Sequence, residues 1–304
     1  MPKSTSFRSS VPLTQSYVSG AGLLQRFISM RYLRCVAAPY RAERSARMAC
    51  FANEEIGNEL AVNGIYERLH IDALLSIIGR LSLDMSSLAF CDVGANIGNH
   101  SMVLAPFFKK TYAFEPNPDA YYLLTYNMSS LDKVESFHVG LGDTAGMIDL
   151  YQNEGNIGAS TMMHASTDGA VSKVRVERLD DICPSDIPIG VMKIDVEGME
   201  YQVLNGATET INNHRPVIAF EQHESDMVSD GPSVISWLQE RDYSVCWLDL
   251  SSAQECGTVV RVFQRVWELL CGRTTRIRLV VEGDIPKRSH TMLIAIPAER
   301  MAAL

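Results

Sequence analysis

AFCDVGANIGNHS, residues 89–101, decides how this chain is read. Its first half is a short apolar run that ends on Asp92, and its second half turns through Gly94-Ala95-Asn96-Ile97-Gly98 into a segment of helical character. A strand that turns sharply into a helix brings free backbone N–H groups to one spot. Glycine there lets a backbone approach a ligand closely, and the helix start attracts an anion. The turn alone is weak evidence, because tight strand-to-helix turns need glycine for steric reasons as well.

Outward from this segment, strand and helix signals alternate. Short apolar runs at 88–93, 111–114, 134–139, 191–196, 217–220 and 243–248 are separated by helical stretches at 97–108, 118–130, 199–211 and 232–241. An amphipathic helix is expected before them at 65–79, with Leu69, Ala73 and Ile77 on one face. Strands separated by helices imply right-handed crossovers and a parallel sheet covered on both faces, so the fold class is α/β, doubly wound. Two stretches break the alternation. Period-two patterning at 147–151 and 173–178, around a Gly/Asn-rich loop at 153–160, predicts an inserted β-hairpin. Residues 256–289 are read as a second insertion, with a helix around 259–270 and a strand-like RIRLVV at 276–281, before a last strand at 292–296.

The next strand, TYAFEPNP, strengthens the ligand reading. Glu115 follows Asp92 by 23 positions, close to the interval of about 20 at which an acidic strand end meets a ribose diol. Together the two features indicate a ligand that contains a nucleoside. NAD is the competitor, but its G-x-G-x-x-G fingerprint is absent; Gly94-x-x-x-Gly98 lacks the glycine pair that lies beside a pyrophosphate. A nucleoside without a pyrophosphate describes S-adenosylmethionine. In this reading Gly94, Ala95, Asn96, Gly98 and Asn99 form the cofactor turn, and Asp92 accepts from the cofactor's ammonium or orders the loop. Glu115 and Pro116 meet the ribose, and Gly142-Asp143 meets the adenine edge or serves as a turn.

The blocks DVGANIGNHS, AFEPNP, MKIDVEGMEYQVLNGA (192–207) and RPVIAFEQH (215–223) resemble, in this order, the FkbM family of methyltransferases. KIDVEGxE is the most specific of them. The resemblance implies a class I methyltransferase fold with a seven-stranded, mostly parallel sheet whose last strand is antiparallel. It also implies methyl transfer to oxygen on sugars or secondary metabolites. By matching position it makes Gly94, Asn96, Gly98, Glu115 and Asp143 cofactor contacts, and sets Asp195, Glu197 and Glu200 beside the transfer site.

Losing the acceptor's proton calls for a base at a strand end. Asp195, Glu197, Glu221 and His223 are the candidates, with Asp195 also near the cofactor. No metal is required, although Asp195 and Glu221 are the pair that would hold a divalent cation. Glu200, one turn into the next helix, reads as a helix N-terminal charge, and Lys193 as support for the sheet or a neighbouring acid. A cofactor-binding module without chemistry and a nicotinamide oxidoreductase are the alternatives; the intact acids disfavour the first and the missing glycine pair the second.

Composition bounds the rest. With 304 residues and 46% hydrophobic content the chain can bury a full core. It is divided here into a basic extension at 1–53 and a methyltransferase domain at 54–304, with its core at 88–250. A net charge of −9 argues against a general nucleic-acid binder. Residues 1–50 nevertheless carry eight basic residues against Glu43 alone. That stretch reads as an ordinary extension, an Arg- and Ser-rich organellar presequence, or a surface helix at 23–38 touching anionic membrane or a partner. The seven cysteines are scattered, with no C-x-x-C, and no apolar run approaches the roughly 18 residues of a membrane span. A reducing, cytoplasmic setting is the expectation, with a small-molecule or glycan hydroxyl as acceptor.

Overall fold

The computed structural model describes residues 48–52, 54–153, 156–161, 171–184, 186–225, 233–249, 277–281 and 285–304, with Ile28, Arg31 and Tyr32. The expected helix at 259–270 and most of the basic N-terminal stretch lie outside the described residues.

The helices α1 (Glu55–Asn63) and α2 (Arg68–Arg80) lead into the sheet. The helix expected at 65–79 is α2, but Leu69 is exposed and the inward stripe is instead Ile71, Leu74 and Ile78, flanked by Ala73 and Ile77. The apolar spacing fits both faces. Packing against the sheet selects the one with more branched aliphatic area.

The main sheet holds eight strands. In chain order they are β1 (Ala89–Val93), β2 (Lys110–Phe114), β3 (Val134–Phe137), β8 (Ile189–Ile194), β9 (Val217–Gln222), β10 (Tyr243–Asp249), β11 (Arg278–Val280) and β12 (His290–Pro297). Across the sheet they run β11-β10-β12-β9-β8-β1-β2-β3. β1 pairs in parallel with β2 and β8, while β12 is antiparallel to both β9 and β10. This is the expected mostly parallel sheet with its last strand reversed. β11, the RIRLVV segment, adds an eighth strand at the β10 edge.

β1 and β8 are buried along their whole length, as strands covered on both faces must be. Alternate residues of β1 feed opposite cores. Ala89, Cys91 and Val93 pack with Val203, Leu204, Ile211 and Trp237 on one side, and Phe90 with Leu74, Ile78 and Leu104 on the other. The helices supplying these layers are α3 (Asn99–Leu104), α6 (Glu200–Gly206), α7 (Thr208–His214) and α8 (Val234–Gln239), together with α2. α4 (Pro118–Met128) begins where the sequence AFEPNP indicates. Asn117 caps it by accepting from Asp119 N at 3.0 Å, and Pro118 occupies the first turn.

The inserted hairpin is part of a larger unit. β5 (Gly146–Asn153) and β7 (Val171–Glu177) pair antiparallel as expected, but β6 (Asn156–Thr161) joins β5, and the two-residue β4 (Gly140–Leu141) joins β7 in parallel. The result is a four-stranded sheet, β4-β7-β5-β6. β6 comes from the Gly/Asn-rich stretch read as a loop, where glycine and asparagine mask strand patterning.

Strand order reverses between β1 and β8. At such a switch point the loops leaving the carboxyl ends diverge and open a crevice. No helix among the described residues is long and apolar enough to cross a membrane.

Candidate active site

A cavity of about 750 Å³ opens at the carboxyl ends of β1, β2, β8 and β9. Gly94 leaves β1 at φ 74°, and a side chain there would run into the carbonyl of Asp195. Glycine is thus required both by conformation and by the close approach of the β1 and β8 exits. Ala95 and Asn96 follow on the cavity wall. Asn96 is itself left-handed at φ 51°, which turns its backbone N–H toward Glu115.

Glu115 is 7% exposed and has both oxygens engaged, accepting from Asn96 N at 2.8 Å and Asn117 N at 2.7 Å. Burial raises its pKa to about 7, against the opposing pull of these two N–H groups and Lys193. The carboxylate is fixed in direction before any ligand arrives. Pro116, Gly140, Leu141 and Leu150 form the less polar wall beside it.

At the next strand end Lys193 is buried and donates to Gly94 O at 3.1 Å; its ammonium also lies 3.1 Å from Asp195 and 3.7 Å from Asp92. Burial alone would lower its pKa, but the two aspartates hold it well above the ordinary lysine value. The expectation that Lys193 supports a neighbouring acid holds for two of them. Asp92 is fully buried, accepts from Ser101 Oγ at 2.6 Å and does not line the cavity. Its contacts are with Ser101 of α3 and with Lys193.

Glu197 sits in a left-handed turn at φ 51°. Glu200 holds that turn, since its Oε1 accepts from Val196 N and Gly198 N, each at 3.3 Å. Its reading as a charge at a helix start therefore gains a definite target. Glu197 Oε2 lies 3.5 Å from His223 Nε2, and Glu221 Oε2 lies 4.0 Å from the same nitrogen. Glu221 also shares a hydrogen bond with Asp195. Burial, and then the charge of Asp195, push the Glu221 pKa up to about 9. Asp195 moves the other way: burial would raise it, but Lys193 and the Glu221 hydrogen bond hold it below the usual carboxylate range. The opposite shifts favour a protonated Glu221 that donates a hydrogen bond to an ionised Asp195. The expected pair Asp195 and Glu221 is together, and among the described residues Glu197, Glu221 and His223 also bring ligand atoms within 4.8 Å of one another.

Four other sequence candidates fall elsewhere. His223 stands behind Glu197, off the cavity wall. Gly98, at φ 91°, abuts Leu124 and Met128, so it serves the packing of α3 on α4. The carbonyl of Gly142 lies against Gly206 of α6, and Asp143 is exposed; neither lines the cavity. Asn99 does line it, but its side chain is bound to the backbone of Tyr66, accepting at 3.1 Å and donating at 2.9 Å. That bond ties the segment before α2 to the cofactor turn. Tyr66, Glu67 and His100 on the same wall were not singled out from sequence. His100 lay within the decisive segment, and only the approach of the α1–α2 connection gives it a partner.

The family model described as the methyltransferase FkbM domain matches residues 92–245, half of the chain, and so takes in every strand end just described. The chain belongs to the FkbM methyltransferase family. Among FkbM-like relatives, the hexuronic acid methyltransferase AglP of Haloferax volcanii is 32% identical over 129 residues, covering 42% of this chain and 53% of its own length. The 2-O-methyltransferase NoeI of Sinorhizobium fredii is 29% identical over 144 residues, covering 41% and 59%. The chain thus spans somewhat more than half the length of these relatives. A crystal structure of the methyltransferase FkbM from Methylobacillus flagellatus aligns with 74% of this chain and 56% of its own at 15% identity and TM-score 0.38.

Proposed function

We propose that this FkbM protein transfers a methyl group from S-adenosylmethionine to a hydroxyl oxygen of a sugar or glycan. One observation carries the reading: a single cavity holds a pre-oriented Glu115 at one end and the Lys193–Asp195–Glu221 chain with Glu197 at the other. The names of the relatives from Haloferax volcanii and Sinorhizobium fredii support sugar hydroxyls as the acceptor class.

When bound, the cofactor supplies an electrophilic methyl group on a sulfonium. The residues do the rest. Glu115 would accept from a ribose diol through the lone pairs left over by its two N–H donors, and Gly140 and Leu141 would border the base. The turn at Gly94–Asn96 admits the amino-acid portion. In-line displacement depends mainly on alignment of acceptor and methyl, and Asp195, locked by Lys193, is the fixed group against which an acceptor hydroxyl aligns. Asp195 is too weak a base and Glu221 is already protonated, so the proton leaves to Glu197. His223, 3.5 Å away, stabilises the charge and passes the proton outward. A divalent cation replacing the Glu221 proton is the second reading, favoured by the convergence of Glu197, Glu221 and His223. Turnover that survives exhaustive chelation eliminates it.

Calorimetry with S-adenosylmethionine, S-adenosylhomocysteine and NAD tests the first step, and binding of NAD alone sinks the reading. Glu197→Gln is expected to cut turnover by about 10²–10⁴-fold, the usual worth of a positioned base, with S-adenosylhomocysteine affinity retained. Unchanged turnover removes Glu197 as base.

A further inference from the structure

Past Asp195 the cavity continues to a wall built by residues that precede the family match. Glu55 and Glu59 lie one turn apart on α1, and Glu67 sits at the start of α2. Asn63 donates to Glu59 Oε1 at 3.3 Å. The Tyr66 phenol stands among Glu67, Glu55, Asp195 and Glu59; burial first, and then these carboxylates, drive its pKa well above that of an ordinary tyrosine. Across from it His100 is 5% exposed, and its Nε2 makes no hydrogen bond, lying 3.4 Å from Glu67 Oε2.

The cavity's carboxylates outnumber its Lys and Arg side chains, and His70, whose pKa burial lowers, lies within electrostatic reach of Glu67 and Glu59. Lys193 is committed to Asp195, Asp92 and Gly94 O. Arg68 reaches Asp72 at 3.8 Å with 42% of its side chain in solvent. What faces the acceptor is a wall rich in carboxylate oxygens, which only accept hydrogen bonds, with the Tyr66 hydroxyl and the His70 and His100 rings set among them.

Resting on the sugar O-methylation reading, we propose that this wall selects a neutral or amino sugar and rejects uronates. Hydroxyl or ammonium donors meet Glu55, Glu59 and Glu67, and a donor or acceptor on the sugar supplies His100 Nε2 with the hydrogen bond that its contact with Glu67 does not make. A sugar carboxylate brought to the same place meets like charge and leaves those acceptors without donors. The charge preference is thus the reverse of that suggested by the name of the Haloferax volcanii relative. Because Glu55, Glu59, Tyr66 and Glu67 lie before residue 92, the selection is set outside the span shared with the family model.

The test is methyl transfer from S-adenosylmethionine to methyl β-glucoside, methyl β-glucosaminide and methyl β-glucuronide, followed by S-adenosylhomocysteine release and product mass. The expected kcat/KM for the glucuronide is at least about tenfold below that of either other sugar, as like-charge contact requires. The double variant Glu59→Gln/Glu67→Gln is expected to shrink that ratio, with S-adenosylhomocysteine binding serving as the check of folding. Should the double variant not fold, exposed Glu55→Gln on α1 gives the same readout. Equal or preferential use of the glucuronide overturns the proposal and leaves the sugar reading standing. A ratio that the substitutions do not move also overturns it. Transfer to none of the three sugars overturns the sugar reading and this proposal together.

Discussion

On the proposed reading, Glu115 must be charged to accept from a ribose diol, and it sits in a place that resists charge. Burial lifts its pKa to about 7, while the Asn96 and Asn117 amides pull the other way. A ribose diol donates to the ionised form, so cofactor affinity is expected to rise as pH climbs through about 7 and then to level off. Glu115→Gln should flatten that dependence. Glu115→Ala should weaken binding by one to two orders of magnitude, since hydrogen bonds to a charged group contribute roughly 1.5–3 kcal/mol. Calorimetric titration with S-adenosylhomocysteine across the pH range measures both; a flat profile in the unmutated protein removes the ribose assignment. The place of Glu115 on the cavity wall was legible from sequence because one strand end and one spacing suffice to find it. His100 was not, because its partner Glu67 arrives from a separate segment, 33 positions upstream in the chain. Gly142 and Asp143 stand at the expected strand end but do not line the cavity, because Gly206 packs against the Gly142 carbonyl.

Among the elements, α7 has no cap of its own, for Ala207 precedes it. Asp180, on the short helix α5 (Leu179–Ile182), supplies one from across the fold. Its Oδ2 accepts from Glu209 N at 3.0 Å and its Oδ1 from Thr210 N at 2.8 Å. Asp180→Ala is expected to cost about 1–2 kcal/mol, the upper part of the range for a lost helix cap, read as a lower urea midpoint at unchanged slope; Asp180→Asn should recover most of it. No stability change would mean that water replaces the cap. A cap taken from another helix leaves no local signature, so this contact was invisible in the sequence, and the single helical stretch expected at 199–211 is divided at Ala207 into α6 and α7, with α7 running on to His214. The eight-stranded sheet was legible to within its edge strand because buried parallel strands form continuous apolar runs. The four-stranded sheet was only half legible. β5 and β7 alternate visibly, whereas β6 lies in Asn- and Gly-rich sequence and β4 is two residues long.

For the whole molecule, the acids of the cavity set how stability varies with pH. Glu115 near 7 and Glu221 near 9 lie above their unfolded value, and burial also raises Glu197 and Glu200. Between the ordinary carboxylate range and these values the folded state binds more protons than the unfolded chain. Stability therefore falls as pH rises through that window. Glu299 works in reverse. Hydrogen bonds from Arg215 at 3.0 and 2.9 Å hold it at about 2, so its contribution is present above its unfolded pKa and is lost only in strong acid. The ligand-free protein is thus expected to melt at a lower temperature near pH 8.5 than near pH 5.5, the reverse of a protein dominated by surface ion pairs of the Arg215–Glu299 kind. Glu221→Gln should lessen the decline at the alkaline end without abolishing it, because Glu115 still titrates near 7. S-adenosylhomocysteine should raise the melting temperature most at the alkaline end, where Glu115 is ionised and the free protein is weakest. Thermal unfolding at both pH values, with and without ligand, decides it. A melting temperature that increases with pH in the ligand-free protein would show that the cavity acids ionise at ordinary values, and the protonated Glu221 assigned to the transfer site would fall with them.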